Sequence, residues 1–124
     1  MSAENEKIVT DFCQAWSRMN IEEILGFMTE DAVYHNIPID PVRGPAAIRA
    51  MLESFMGPAS HAEFEIKGIA AHGNLVLTER VDRFVVNGKP VALPVMGAFE
   101  VRADGKITAW RDYFDLAQFT KQLA

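Results

Sequence analysis

Residues 75–115, LVLTERVDRFVVNGKPVALPVMGAFEVRADGKITAWRDYFD, decide the fold of this chain. Apolar and polar residues alternate here with a period of two, which predicts three strands: Leu75–Val86, Val91–Arg102 and Lys106–Asp115. Asn87-Gly88 and Asp104-Gly105 separate the strands, and such pairs are strong signals for tight hairpin turns. We therefore expect antiparallel strands through the second half of the chain.

The alternation extends upstream by one more strand, His61–Ala71, which His72-Gly73-Asn74 separates from the next. Before residue 60 the apolar spacing changes to three and four residues, which is the spacing of one face of an α-helix. The exception is AVYHNIPI, residues 32–39, which we predict to be a short strand ended by two prolines.

Three helices are predicted in this first half, and a short helix over Leu116–Leu123 ends the chain. The first runs from about residue 3 to residue 18. Asn20 with Glu23 predicts an N-terminal cap for a second helix that ends near residue 27 or 28. A third begins after Gly44 and ends at Gly57. The apolar face of the first helix is formed by Ile8, Phe12, Cys13, Trp16 and Met19. That of the third is formed by Ile48, Met51, Leu52 and Phe55.

Helices followed by an antiparallel meander indicate an α+β fold. A short sheet must curve to enclose a core with helices on one face, so we predict a curved sheet wrapped around the helices, with a pocket at its open end. Gly97, within VMGAFEV, is the predicted position of a bend or bulge.

Composition excludes several classes of protein. The 124 residues suffice for one domain. The net charge is −5 and basic residues are scattered, so we expect neither nucleic acid nor a membrane as partner. The lone Cys13 excludes an internal disulfide, and His35, His61 and His72 lack metal-ligand spacing, so we expect no metal site. The start, MSAENEKIV, lacks the features of a signal peptide, which predicts a cytoplasmic location.

Strand periodicity groups two acids and one cation into a candidate polar cluster. Alternate residues share a face, so Arg80 and Asp82 point the same way. Asp112 shares its face with Trp110 and Phe114, which favours a buried or pocket-facing position. An isolated buried carboxylate is costly, and Arg80 is the best available partner. We therefore predict that one guanidinium bridges Asp82 and Asp112. The alternative is a solvated cross-strand ion pair.

Such a cluster is suited to acid/base chemistry. One cation cannot fully compensate two close carboxylates in an apolar cavity, so one acid is expected to keep its proton near neutral pH. Tyr34 and Asn36 point together and could position a water molecule, although residues of these types are also common at strand edges and turns. A base, a held water, an acid and an apolar pocket suit the water-consuming opening of a reactive ring.

Three segments together resemble the limonene-1,2-epoxide hydrolase family, within the nuclear-transport-factor-2-like and ketosteroid-isomerase-like fold group. They are YHNIPIDPVRG, LVLTERVD and GKITAWRDYFDL, at residues 34–44, 75–82 and 105–116. The likeness extends from the first helix to about Phe119, without the longer N-terminal extension of some members. It implies one catalytic domain over residues 1–124, with a strongly curved, mixed, cone-shaped sheet of six or so strands around the helices, and a homodimer.

The resemblance also implies residue roles. Asp112 would be the base that activates water, Tyr34 and Asn36 would hold that water, Asp82 would be the acid and Arg80 the bridging cation. The substrate would be a small or medium apolar epoxide, hydrolysed to a diol without cofactor or covalent intermediate. The apolar residues predicted to contact it are Trp16, Phe55, Phe84, Val95, Trp110, Phe114 and Phe119.

Two other functions stay open at this point. One is a proton-transfer enzyme of the same fold, similar to ketosteroid isomerases or polyketide cyclases, in which an aspartate abstracts a carbon-bound proton. The other is a non-catalytic module that binds a small molecule or mediates dimerisation, because this fold group hosts both kinds of protein.

Overall fold

A curved six-stranded sheet forms the body of the protein. The computed structural model describes residues 2–124, so Met1 of the predicted domain lies outside the described residues. The strands are β1 Met28–Asn36, β2 Val42–Arg43, β3 Ala59–His72, β4 Leu75–Val86, β5 Lys89–Val101 and β6 Ile107–Tyr113. Their order is β2-β1-β6-β5-β4-β3, in which β1 and β6 are parallel and all other neighbours are antiparallel. The predicted α+β fold with a curved, mixed sheet is confirmed.

The helices begin and end close to their predicted positions. They are α1 Ser2–Ala15, a 3₁₀ turn at Trp16–Arg18, α2 Ile21–Gly26, α3 Pro45–Met56 and α4 Leu116–Leu123. The predicted cap at Asn20 is present, since the Glu23 N–H donates to its side-chain oxygen at 3.2 Å. Asp115 caps α4 in the same way, through the Gln118 N–H at 3.1 Å. Both caps satisfy backbone donors that would otherwise lack a partner.

The largest differences from the prediction concern β1 and β2. β1 begins at Met28 rather than at residue 32, and it ends at Asn36, before the prolines. There the chain turns, and the Ile39 N–H donates to the Asn36 carbonyl at 2.8 Å. β2 was not predicted, because two residues are too few to display a period of two. These changes make Asn36 the last residue of a strand that lies beside β6.

Gly97 does not form the predicted bulge. Its pairing is continuous on both sides, with Thr78 on β4 and with Asp112 on β6. Gly97 is instead needed because it has no side chain that would fill the space beside Arg80. A Cβ at Gly97 would overlap Arg80 Nη1 and would lie 2.9 Å from both Asp112 Oδ1 and Thr78 Oγ1. The glycine therefore leaves room for a side chain that crosses β5.

The core lies between the concave face of the sheet and the helices. Buried side chains of α1, α3 and the inward strand faces form one apolar cluster, which includes Cys13. Next to this apolar cluster lie four nearly inaccessible polar side chains, Thr78, Arg80, Asp82 and Asp112. Within residues 2–124, no helix is both long and apolar enough to cross a membrane.

Candidate active site

The sheet brings residues from β4 and β6 together across β5. Arg80 and Asp82 lie on the buried face of β4, and Asp112 lies on the buried face of β6. β5 separates the two strands, but Gly97 lies between Thr78 and Asp112 in the register. The Arg80 guanidinium therefore reaches Asp112 across the gap that the glycine leaves.

Arg80 uses all five of its N–H donors. Nε and Nη2 donate to Asp82 Oδ1 and Oδ2 at 2.9 and 2.8 Å. Nη1 and Nη2 donate to Asp112 Oδ1 and Oδ2 at 3.2 and 2.9 Å, and Nη1 also donates to Thr78 Oγ1 at 3.1 Å. Two bidentate pairs on one guanidinium fix the geometry of both acids. The solvated cross-strand ion pair exists, but it joins Arg83 and Glu65 on the other face.

The cluster is shielded from bulk water, and it holds two acids but only one cation. Arg80 is 1% exposed, and its guanidinium lies 4.6 Å above the centre of the Phe64 ring. Burial alone would lower the pKa of Arg80, but the Asp112 and Asp82 charges hold that pKa well above its usual value. Burial raises the pKa of Asp82 to about 6, against the opposing effect of Arg80. The cluster is neutral when one of the two acids keeps a proton.

The two acids have unequal hydrogen-bond partners. Asp112 accepts three hydrogen bonds, two from Arg80 and one from Trp110 Nε1 at 2.8 Å. Asp82 accepts two, both from Arg80. Donors stabilise the charged form of a carboxylate, and Asp82, which has fewer of them, is the acid whose pKa burial raises. Sequence reasoning counted Trp110 as an apolar wall and missed this donor.

Tyr34 and Asn36 lie beside Asp112. In the parallel pairing of β1 with β6, Tyr34 is opposite Trp110 and Asn36 is opposite Asp112. The Tyr34 ring stacks on Trp110, with ring centres 4.0 Å apart, and its hydroxyl donates to Asn36 Oδ1 at 3.3 Å. Burial raises the pKa of Tyr34, so the phenol stays neutral. This bond leaves the Asn36 amide N–H groups and the Tyr34 oxygen lone pairs free for a ligand.

A cavity of about 100 Å³ opens in front of these groups. Four polar residues named above line it: Tyr34, Asn36, Asp82 and Asp112. Six of the residues predicted to contact the substrate also line it, namely Trp16, Phe55, Phe84, Val95, Phe114 and Phe119. The remainder of the wall, which sequence reasoning did not assign, is Ile39, Met51, Phe64, Leu93 and Leu116.

Two of the predicted site residues lie behind the cavity wall. Trp110 is fully buried and does not line the cavity, because its ring is covered by Tyr34 and its N–H is turned to Asp112. Trp110 is therefore absent from the cavity wall, although it was predicted to help to select the substrate. Arg80 is likewise outside the wall, and it hydrogen-bonds to both acids from there. Of the missed residues, Leu93 shares a strand face with Val95, and that alternation could have identified it.

Side chains of the types that bind metal ions do not come together in the part of the chain that the structure describes. The His, Cys, Asp and Glu side chains of residues 2–124 form no cluster of three that could hold an ion. The expectation that the reaction needs neither metal nor cofactor stays a prediction.

Comparison with known proteins identifies the family. The model of the limonene-1,2-epoxide hydrolase catalytic domain matches residues 3–124, which is nearly the whole chain. The chain belongs to the limonene-1,2-epoxide hydrolase family. Epoxide hydrolase EphG of Mycobacterium tuberculosis is 35% identical over 115 residues, which cover 93% of this chain and 76% of that protein. The family, predicted from three short segments, is confirmed.

Solved structures support the same assignment. An LEH-like epoxide hydrolase from M. tuberculosis superposes with a TM-score of 0.85 at 34% identity, covering 98% of this chain and 90% of that one. A protein with a ketosteroid-isomerase-like fold from Catenulispora acidiphila has a TM-score of 0.83 at 22% identity, covering 93% and 90%, and this likeness concerns the fold alone. The predicted class of enzyme, an epoxide hydrolase, is therefore confirmed at the level of the family.

Proposed function

We propose that this chain adds water to a small or medium apolar epoxide in one step, with Asp112 as base and Asp82 as acid. The observation that carries the proposal is the buried Asp82–Arg80–Asp112 cluster with its unequal donors, exposed to an apolar cavity only through the two carboxyl groups. Because the donors favour charge on Asp112 and a proton on Asp82, the resting cluster already holds one base and one acid.

The step needs no covalent bond to the protein. Asp112 takes one proton from water while the water oxygen forms a bond to one oxirane carbon. The bond between that carbon and the epoxide oxygen breaks, and Asp82 gives its proton to this oxygen. The product is a vicinal diol, and the cycle closes when one proton returns from Asp112 to Asp82. Each of the two proton transfers contributes about 10²–10⁴-fold.

Tyr34 and Asn36 hold the attacking water in this proposal. An Asn36 N–H donates to one lone pair of the water, and the Tyr34 oxygen accepts the water proton that Asp112 does not take. The remaining lone pair of the water then points at the epoxide. Two observations support this arrangement. Asn36 pairs with Asp112 on the neighbouring strand, and a hydrogen bond joins Tyr34 to Asn36.

Cavity chemistry supports the proposed substrate class. Apart from the reacting groups, aromatic and aliphatic side chains form the wall, which favours an apolar body next to the oxirane. The homodimer, the cytoplasmic location and the single catalytic domain stay predictions that rest on the resemblance and on the sequence.

Diol formation from a panel of terpene, cycloalkene and styrene-type epoxides tests the proposal. We expect Asp112→Asn and Asp82→Asn to lose at least about 100-fold in kcat with folding retained, since each removes one proton transfer. Glu79→Gln is the matched control, because Glu79 is an exposed acid on the same strand as Asp82 but on the opposite face. Full activity in either cluster variant would refute the assigned roles.

The proton-transfer alternative would use the same base and the same acid. The Tyr34–Asn36 pair beside Asp112 favours hydrolysis, because it supplies a place for a water molecule that proton abstraction from carbon does not need. Turnover of a conjugatable ketone without turnover of any epoxide would favour that alternative. Tight binding of an alcohol analogue, again without diol formation, would favour a binding module.

A further inference from the structure

One polar group in the cavity wall lacks a partner. Trp16 lines the cavity and is only 1% exposed. Its Nε1 is the one buried side-chain nitrogen or oxygen among residues 2–124 that makes no hydrogen bond. Buried tryptophan N–H groups usually find an acceptor, and leaving one unpaired destabilises the fold. Neither the fold nor the proposed reaction gives this donor a role.

The aromatic neighbours of Trp16 offer no acceptor. Its ring stacks on Phe64, with centres 4.6 Å apart, and meets Phe55 and Trp110 edge to face, at 6.5 and 5.6 Å. The phenyl rings have no polar atom, and the indole of Trp110 is itself a donor, already bonded to Asp112. Since Trp16 borders the cavity, a ligand bound there is the candidate source of an acceptor.

We propose that Trp16 Nε1–H is a substrate-binding donor, and that the preferred epoxides carry an ether, carbonyl or hydroxyl oxygen on the body that lies against Trp16. This refines the substrate class of the proposed function and rests on it for the reaction, but not for binding. The other polar side chains in the wall belong to the reacting set, so Trp16 is the place where a second oxygen on the substrate is recognised. An all-hydrocarbon body leaves the donor unpaired.

A matched series of epoxides tests the proposal kinetically. The series compares an alkyl epoxide with analogues in which one CH₂ after another is replaced by an ether oxygen. For at least one analogue, we expect Trp16→Phe to lower the ether-to-alkyl ratio of kcat/KM by about 3–10-fold, mainly through KM. Met51→Leu is the control, since it alters the same wall at a residue that does not stack on Trp16, removes no donor and should leave the ratio unchanged. A ratio that Trp16→Phe does not change for any analogue overturns the proposal.

Binding can be measured without turnover. The chain has two tryptophans, so its indole N–H region contains two NMR signals. Trp16→Phe removes and thereby assigns one of them, and the remaining Trp110 signal reports whether the variant is folded. In Asp112→Asn protein, the ether epoxide should move the Trp16 indole proton downfield and the alkyl epoxide should not. Equal shifts with both ligands, or no shift with any ether, overturn the proposal. A selective shift with no diol formed by the unsubstituted enzyme would refute the proposed function while the binding role stands.

Discussion

Gly97→Ala is the smallest change that tests how the cluster is held together. An added Cβ would overlap Arg80 Nη1 and would lie 2.9 Å from Asp112 Oδ1 and Thr78 Oγ1. Both neighbouring strands pair continuously with Gly97, so the backbone cannot move away without breaking the sheet on two sides. The guanidinium has to move instead, and Nη1 then loses its bonds to Asp112 and Thr78.

The structure sets the expected size of this effect. A hydrogen bond to a charged group contributes about 1.5–3 kcal/mol, and disruption of a buried ion pair costs about 3–5 kcal/mol. We expect Gly97→Ala to lower the free energy of unfolding by roughly 3–5 kcal/mol, which is a large part of the roughly 5–15 kcal/mol typical of a domain. Because Asp112 also loses a donor that stabilises its charge, kcat should fall by about 100-fold or more.

Urea denaturation and initial rates of diol formation measure these two quantities. Gly68→Ala on strand β3 of the same sheet is the control, since a Cβ there meets nothing within 4 Å. That variant should stay within about 0.5 kcal/mol of the unsubstituted protein. If Gly97→Ala matches the unsubstituted protein in stability and rate, the guanidinium does not need the space, and the reasoning is refuted.

Two further predictions concern the unequal acids. The pKa of Asp82 is raised from 3.8 to about 6 in the fold, so its contribution to stability is complete below about pH 4 and is lost as the pH rises through about 6. Urea denaturation from pH 4 to pH 8 should reveal this loss in the unsubstituted protein and not in Asp82→Asn, and identical pH dependence in both would contradict it. Trp110→Phe removes the 2.8 Å donor to Asp112 and leaves both acids with two donors, so kcat should fall by about 10-fold or more with a smaller change in KM. Steady-state kinetics that give an unchanged kcat would exclude a role for that hydrogen bond.

Strand alternation predicted one inward polar side chain, and two others were inferred from it. Asp112 was placed inward by its aromatic i±2 neighbours, and Arg80 was chosen as the partner that a buried carboxylate needs. Asp82 followed because it shares a face with Arg80, and all three are buried. The Asn-Gly and Asp-Gly turns likewise gave the boundaries of β4 and β5 to within a few residues. A period of two defines the face of a residue without needing the partner strand, which explains why these predictions succeeded.

What depends on contacts between strands could not be predicted. Gly97 was predicted to form a bend or bulge. The space that it leaves for Arg80 could not be predicted, because this requires the registers of β4, β5 and β6 together. Trp110 was predicted to face the substrate. Its position behind Tyr34 could not be predicted, because the stacking of the two rings depends on the parallel pairing of distant strands. The unpaired Trp16 N–H was also invisible, since a lack of partners is known only when every neighbour is placed.

The position of ¹⁸O from water after a single turnover shows whether a carboxylate acts as base or as nucleophile. The one-step mechanism depends on this distinction. Enzyme in excess is mixed with epoxide in ¹⁸O-water, and the diol and the peptides that contain Asp82 and Asp112 are analysed by mass spectrometry. Direct attack by water places one ¹⁸O atom in the diol after the first turnover and none in either aspartate. An unlabelled diol together with ¹⁸O in an aspartate would demonstrate a covalent ester and contradict the one-step mechanism.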